Sequence, residues 1–181
     1  MQPLCESYVS ATKLNQMEPF YPLHTYVCDN CFLVQLEEYV SPKKIFSEYA
    51  YFSSFSDAWL KHAEKYVEMI TDQLNLNKNS LVMEVASNDG YLLQYFVQKG
   101  IPVIGVEPAA NIAKVAIKKG INTVIKFFDL ETARELAAHQ KNADLLIGNN
   151  VLAQVPDLNN FVESMKIILK PSGVIQWSSL T

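Results

Sequence analysis

The sequence predicts an α/β protein: a Rossmann-like, mostly parallel sheet of about five strands with helices on both faces, preceded by a small irregular region. Three observations carry this. From Leu81 onward, short apolar runs of strand length alternate with amphipathic stretches of helix length. The first run, Leu81-Val82-Met83-Glu84-Val85-Ala86, stops at a polar turn, Ser87-Asn88-Asp89-Gly90, and Tyr91-Leu92-Leu93-Gln94-Tyr95-Phe96 follows at once. Gly100 and Gly120 stand just past two predicted helices, where a left-handed residue closes a helix without steric cost. Repeated strand–helix–strand units of this kind form a parallel sheet through right-handed crossovers.

In chain order, residues 1–52 read as a separate region, interrupted by prolines at 3, 19, 22 and 42. Leu23-His24-Thr25-Tyr26-Val27 alternates as a short strand. The turn Cys28-Asp29-Asn30-Cys31 and the run Phe32–Leu36 follow it, which predicts a knuckle between two strands. A second domain is expected over 53–181. Ser56 or Asp57 caps a helix whose Trp59, Leu60, Ala63, Tyr66, Val67, Ile70 and Leu74 recur at helical spacing. Strands are then expected near 81–86, 102–107, 122–127, 143–149 and 173–177. Helices are expected near 90–99, 109–119, 129–139 and 158–169, with Asp129 placed to cap the third.

Composition narrows the function classes. A chain of 181 residues, 49% hydrophobic, holds one medium domain and a small extension. With 19% charged residues and a net charge of −4 there is no basic footprint for nucleic acid. No apolar run approaches the roughly 20 residues that span a bilayer, and the start lacks a signal-peptide pattern. Three cysteines, an odd number, favour a reducing cytoplasm over a disulfide framework.

The turn at 87–90 sits at the carboxyl end of a strand, where open α/β sheets place their ligands. The next apolar run, Pro102–Val106, ends in Glu107, whose carboxylate can accept hydrogen bonds from both hydroxyls of a ribose. Together they predict a nucleoside-containing cofactor. A dinucleotide pyrophosphate needs the close approach given by G-x-G-x-x-G, whereas this turn offers only Gly90. That disfavours NAD and an oxidoreductase. Ser87, Asn88 and Asp89 suit a ligand with an amino-acid end, such as S-adenosylmethionine (SAM). Glu84 is a candidate for the methionine end or a partnered buried carboxylate. Phe127 and Phe128 stack an adenine or pack in the core, while Asn149 and Asn150 end the fourth strand facing the methyl-transfer position. The plain alternative is that Asn88, Asp89 and Glu107 only cap their helices.

Further motifs carry a resemblance. Cys28-x-x-Cys31-x-Leu-Val-Gln35 follows Tyr-Pro-Leu, and Tyr49-x-Tyr51-x-Ser53-Ser54 comes next. Glu84-x-Ala-Ser-Asn-Asp-Gly90, Gly105-x-Glu107-Pro108, Phe127-Phe128, Asn149-Asn150-Val151-Leu152-Ala153 and Leu169-Lys170-Pro171-x-Gly173 complete the order. From Glu18 to Gly173 the chain resembles the SAM-dependent C-methyltransferases that act on nucleotide-linked keto-deoxysugars. The resemblance implies a small zinc module, a class I methyltransferase sheet with Pro108 beside the cofactor, and a C-terminal domain. It also implies a reaction in which a carbon next to a ketone is deprotonated and methylated.

The departures are as specific as the matches. Gln154 stands where the family has His, and an amide cannot act as the base, so Tyr51 remains as a polar contact to the sugar or its oxyanion. Tyr51 has a plain alternative, packing in an interdomain seam. Cys28 and Cys31 supply half of a tetrahedral zinc shell, with His24 and Cys5 as conceivable completions. The reading therefore expects two reduced thiols rather than a stable zinc site. The last strands and the C-terminal domain of the family pattern are not in this sequence. Exposed edges are expected to favour a homodimer, and the chain alone is expected not to turn over a nucleotide sugar. A non-catalytic SAM-binding remnant or partner subunit is the alternative to a complete methyltransferase.

Overall fold

A computed structural model describes residues 1–5 and 7–178. Two compact units divide the chain, residues 1–51 and 52–181. In the first, β1 (Thr25–Val27) and β2 (Val34–Leu36) form an antiparallel ribbon in which Thr25 faces Leu36 and Val27 faces Val34. Every residue of both strands is exposed. A five-residue helix, α1 (Pro42–Phe46), follows with Pro42 in its first turn, where a missing N–H costs nothing.

Apolar strands organise the second unit. Helix α2 (Asp57–Leu74) starts on Ser56, whose Oγ accepts from the Trp59 N–H at 3.3 Å. It buries Ala63, Val67 and Ile70, the stripe that helical spacing marked out. The order then runs β3 (Val82–Val85), α3 (Leu93–Gln98), β4 (Val103–Val106), α4 (Ala110–Lys118), β5 (Thr123–Val124), α5 (Leu130–Ala138), β6 (Ala143–Asn149), α6 (Leu158–Ile168) and β7 (Leu169–Ser178). The five strands pair in the order β5-β4-β3-β6-β7, every pair parallel. The α/β, Rossmann-like expectation is met.

Helices on both faces explain why β3 and β4 are buried at every residue. On one face Val82, Leu145 and Ile147 pack with Val67 and Ile70 of α2 and Phe96 of α3. On the other, Met83, Val85, Ile104 and Leu146 pack with Leu136 of α5 and Phe161 and Met165 of α6. Each fully buried aliphatic side chain contributes about 1.5–3 kcal/mol. Because β3 lies between β4 and β6, the order in which strands are added reverses around it, and its carboxyl end is the topological switch point.

Three boundaries differ from the sequence reading. β5 has two residues rather than six: Val124 pairs with Val106, where β4 ends, and Ile125 and Lys126 beyond it are exposed. Strand β7 starts at Leu169, directly after α6, and a register shift between Ala143 and Leu145 absorbs the Lys-Pro-Ser-Gly stretch expected as a loop. Helix α3 starts at Leu93 rather than in the turn, leaving Tyr91 and Leu92 as buried residues ahead of it. Asp129 caps α5 as expected, its Oδ1 accepting from the Thr132 N–H at 2.9 Å. No helix among the described residues is long and apolar enough to cross a membrane.

Candidate functional site

At the switch point the chain makes an unusual turn. Ala86, Asn88 and Gly90 have φ of 54°, 50° and 75°, so left-handed residues alternate with ordinary ones. Asparagine visits that region with least difficulty after glycine, and alanine does so at roughly 1–2 kcal/mol. The sequence reading counted one glycine here and missed that three positions need its conformation.

Buried hydrogen bonds hold the turn. Glu107, at the end of β4, accepts the Asn88 N–H on Oε2 at 2.9 Å and the Ala109 N–H on Oε1 at 2.8 Å. Burial pushes its carboxyl above the usual range, and these two N–H groups oppose the shift. From the other side, the Ser53 N–H donates to Asn88 Oδ1 at 2.9 Å. The Ser54 hydroxyl donates to Asp89 Oδ2. Lys119, just past α4, donates to the Asp89 carbonyl at 3.0 Å and stands 3.3 Å from its Oδ2. Gly105 is bare because Ser87 Oγ lies 2.5 Å from where its Cβ would be.

Beneath the turn, Glu84 is fully buried, and neither carboxylate oxygen meets a partner at hydrogen-bonding geometry. Burial drives its carboxyl well above the usual range. Tyr91 and Asn149, the polar groups nearest it, lower it, and the charges of Glu107 and Asp89 raise it further. Asn149 Nδ2 donates to the Tyr91 hydroxyl at 3.0 Å, and Ser178 donates to Asn149 Oδ1 at 2.7 Å. A cavity of about 80 Å³ opens beside this chain of bonds, lined by Trp59, His62, Tyr66, Tyr91, Asn149 and Gln176 among others. The Tyr66 hydroxyl and Gln176 Oε1 are buried there without hydrogen-bond partners. Burial, with the Glu84 charge added, pushes the Tyr66 hydroxyl upward. The rings of His62 and Tyr91 stack on Trp59 at 5.2 and 6.0 Å.

Glu84, Ser87, Asn88, Asp89, Gly90, Glu107 and Asn149 are thus gathered at one end of the sheet. Pro108 follows Glu107, half-buried. Phe128 packs edge-on against Phe161 in the core at 5.4 Å, the plain alternative for one of the two phenylalanines, while Phe127 lies half-buried outside any strand. Asn150 is exposed at φ 54° and accepts from Gln154 Nε2 at 3.1 Å, so Gln154 is tied to its own loop. Tyr51 belongs to the first unit, exposed, with its ring tilted against Tyr49. Sequence reasoning missed Lys119, which carries no local signal, and quoted Ser53 and Ser54 as part of a motif without assigning them a role. Tyr66 packs against the core as the helical stripe predicts, and with Trp59 and the exposed His62 it also lines the cavity.

In the first unit, Cys28 is half-buried and Cys5 and Cys31 are exposed. Among the described residues, no group of three or more His, Cys, Asp or Glu side chains is placed to hold a metal ion. One copy of the chain therefore does not fit a closed four-ligand zinc shell.

Residues 59–180 match the family model described as "Methyltransferase domain", and residues 1–46 match one described as "Putative zinc binding domain". The chain is 32% identical over 157 residues to the C-methyltransferase NovU of Streptomyces niveus, an alignment covering 87% of this chain and 37% of NovU. It is 29% identical over 101 residues to a ubiquinone biosynthesis O-methyltransferase of Bordetella avium, covering 55% of this chain and 42% of the relative. It thus spans only 37% and 42% of the lengths of these curated relatives. A crystal structure of a SAM-dependent methyltransferase from Archaeoglobus fulgidus superimposes with a TM-score of 0.53 at 17% identity, covering 64% of this chain and 51% of that one.

Proposed function

This chain belongs to the methyltransferase-domain family, and we propose that it binds SAM at the carboxyl ends of β3 and β4 and serves C-methylation of a nucleotide-linked keto sugar. One observation carries the cofactor reading. Glu84 presents two buried oxygens without partners, and Oδ1 of Asp89 is likewise buried without one. The ammonium of an amino-acid ligand offers both the charge and the hydrogen bonds these oxygens lack. A pyrophosphate would instead meet the three acids Glu84, Asp89 and Glu107 and be repelled. Each Glu107 oxygen holds one backbone N–H and keeps a lone pair for a ribose hydroxyl. Ser87, Gly90 and Pro108 shape the backbone around the ligand, and Phe127 offers a ring edge to an adenine.

SAM, when bound, supplies an electrophilic methyl group. Asn149 and Tyr91 orient the acceptor beside it. The Tyr66 hydroxyl and the Gln176 carbonyl take up acceptor hydroxyls in the cavity. Asn150 is a further polar candidate for the acceptor. Gln154, whose amide does not titrate and whose Nε2 bonds Asn150, favours a second reading: a cofactor-binding subunit whose base is supplied by a partner chain.

The test is calorimetric titration of the 181-residue protein with S-adenosylhomocysteine (SAH) and, separately, NAD. SAH is expected to bind and NAD not. Glu107→Gln, confirmed folded by circular dichroism, is expected to weaken SAH by about tenfold, the loss of roughly 1–2 kcal/mol of charge-assisted hydrogen bonding. Tighter binding of NAD than of SAH overturns the cofactor reading. Equal SAH affinity in the variant removes the ribose assignment.

A further inference from the structure

The two carboxylate oxygens of Asp89 are treated unequally by the fold. The side chain is 1% exposed, and two donors from different elements meet on one oxygen, Oδ2. The Ser54 hydroxyl donates to it from the short 3-10 turn Ser53–Phe55 ahead of α2. Lys119 Nζ, just past α4, stands 3.3 Å from the same Oδ2 and donates to the Asp89 carbonyl at 3.0 Å, so one cation holds backbone and side chain together. The other oxygen, Oδ1, is buried and has no hydrogen-bond partner. An unpaired buried carboxylate oxygen is costly until a donor reaches it.

The surroundings keep the turn from relaxing out of this arrangement. A Cβ on Gly90 would lie 2.0 Å from Ile121 Cδ1 and 3.3 Å from Ala116 Cβ, so the backbone next to Asp89 rests directly on the segment that carries Lys119. From the other side the Ser53 N–H holds Asn88 Oδ1 at 2.9 Å. A fixed backbone does not by itself fix the carboxylate, because the torsion that turns its plane is soft and roughly two-fold. The two donors on Oδ2 supply the missing restraint.

We propose that Ser54 and Lys119 are positioning residues for the amino-acid end of the cofactor: by occupying Oδ2 they aim Oδ1 of Asp89 at the ligand's ammonium. Both roles rest on the cofactor reading given above, and both side chains act through Asp89 rather than by touching the ligand. Ser54 contributes orientation without charge. Lys119 contributes orientation and also offsets part of the carboxylate's charge, so its removal has two opposed effects. A hydrogen bond weakens steeply once its angle is lost, whereas the charge freed by removing a lysine that is 29% exposed is screened by solvent. The loss of aim therefore dominates.

Calorimetry on the 181-residue protein compares SAH with 5′-methylthioadenosine, which keeps the adenosine and the sulfur and lacks the amino-acid end. Ser54→Ala and Lys119→Met, confirmed folded by circular dichroism, are each expected to bind SAH roughly three- to tenfold more weakly than the parent protein. Their affinity for methylthioadenosine is expected to stay at the parent value. Ser54→Thr, which keeps the hydroxyl, is expected to bind SAH as the parent does. Equal losses for both ligands would show that the two residues only support the turn, and would overturn the proposal. So would unchanged SAH affinity in Ser54→Ala, or tighter SAH binding by Lys119→Met, the mark of a purely electrostatic role. Failure of the parent protein to bind SAH sinks the cofactor reading, and the positioning roles with it.

Discussion

Glu84→Gln separates what the fold pays at this site from what the ligand gains. Burial dominates the environment of Glu84 and drives its carboxyl well above the usual range; Tyr91 and Asn149 oppose this, and the charges of Glu107 and Asp89 add to it. The folded value therefore lies above the unfolded one. A group of this kind contributes stability that is fully present below the unfolded value, about 4.3, and is lost as pH rises through the folded value. Glutamine keeps the shape, never ionises, and can use Tyr91 and Asn149 as partners. Leaving a buried polar group unpaired costs roughly 1–3 kcal/mol, so at pH 8 the variant is expected to be more stable by about 1–2 kcal/mol, or roughly 3–8 °C in Tm. At pH 4 the difference is expected to vanish. SAH affinity is expected to move the opposite way, falling about tenfold or more as the ammonium loses its charged partner. Thermal melts from pH 4 to 9 and calorimetry on the same samples measure both. Parallel melting curves for the two proteins across the pH range, or unchanged SAH affinity, would refute the account of Glu84.

Two further outcomes follow from the turn and its supports. Ala86 sits at φ 54°, so Ala86→Gly is expected to raise stability by up to about 1 kcal/mol in urea unfolding, the relief of a left-handed alanine less the added freedom of the unfolded chain. Lys119→Met takes the cation from a carboxylate that is 1% exposed; because Lys119 itself is 29% exposed, the expected loss is about 1–3 kcal/mol rather than that of a fully buried pair. Lys126→Met, at the exposed pair with Glu135, serves as the control and is expected to stay within about 0.5 kcal/mol.

The sheet was legible because β3, β4 and β6 are short apolar runs separated by helical patterns, and burial on both faces leaves that signature in any sequence. Glu107 was legible by its place at the tip of the second strand. Its bond to the Ala109 N–H at the start of α4 is the capping role held open as the plain alternative; its bond to the Asn88 N–H was not legible, since it depends on how Asn88 approaches in space. The alternating left-handed residues escaped because Ala86 and Asn88 do not look like glycine, and only φ reveals what the turn demands. Phe127 was placed at a strand end that does not exist, because an edge strand persists only as far as its neighbour pairs with it. Trp59 and Tyr66 follow helical spacing as faithfully as core residues do. Periodicity cannot tell a packed stripe from one that borders a cavity.

Around the turn, Glu84, Asp89 and Glu107 crowd together, with Lys119 paired to Asp89. Under the proposed function this imbalance has an electrostatic meaning. A methyl donor arrives carrying two positive centres, its ammonium and its sulfonium. Once the methyl has left, the sulfur is neutral, and the same acids face a molecule with one positive charge fewer. The electrostatic share of its attraction to these acids is therefore smaller than that of the fresh donor. Under that reading, transfer itself discharges part of the attraction between the site and its ligand.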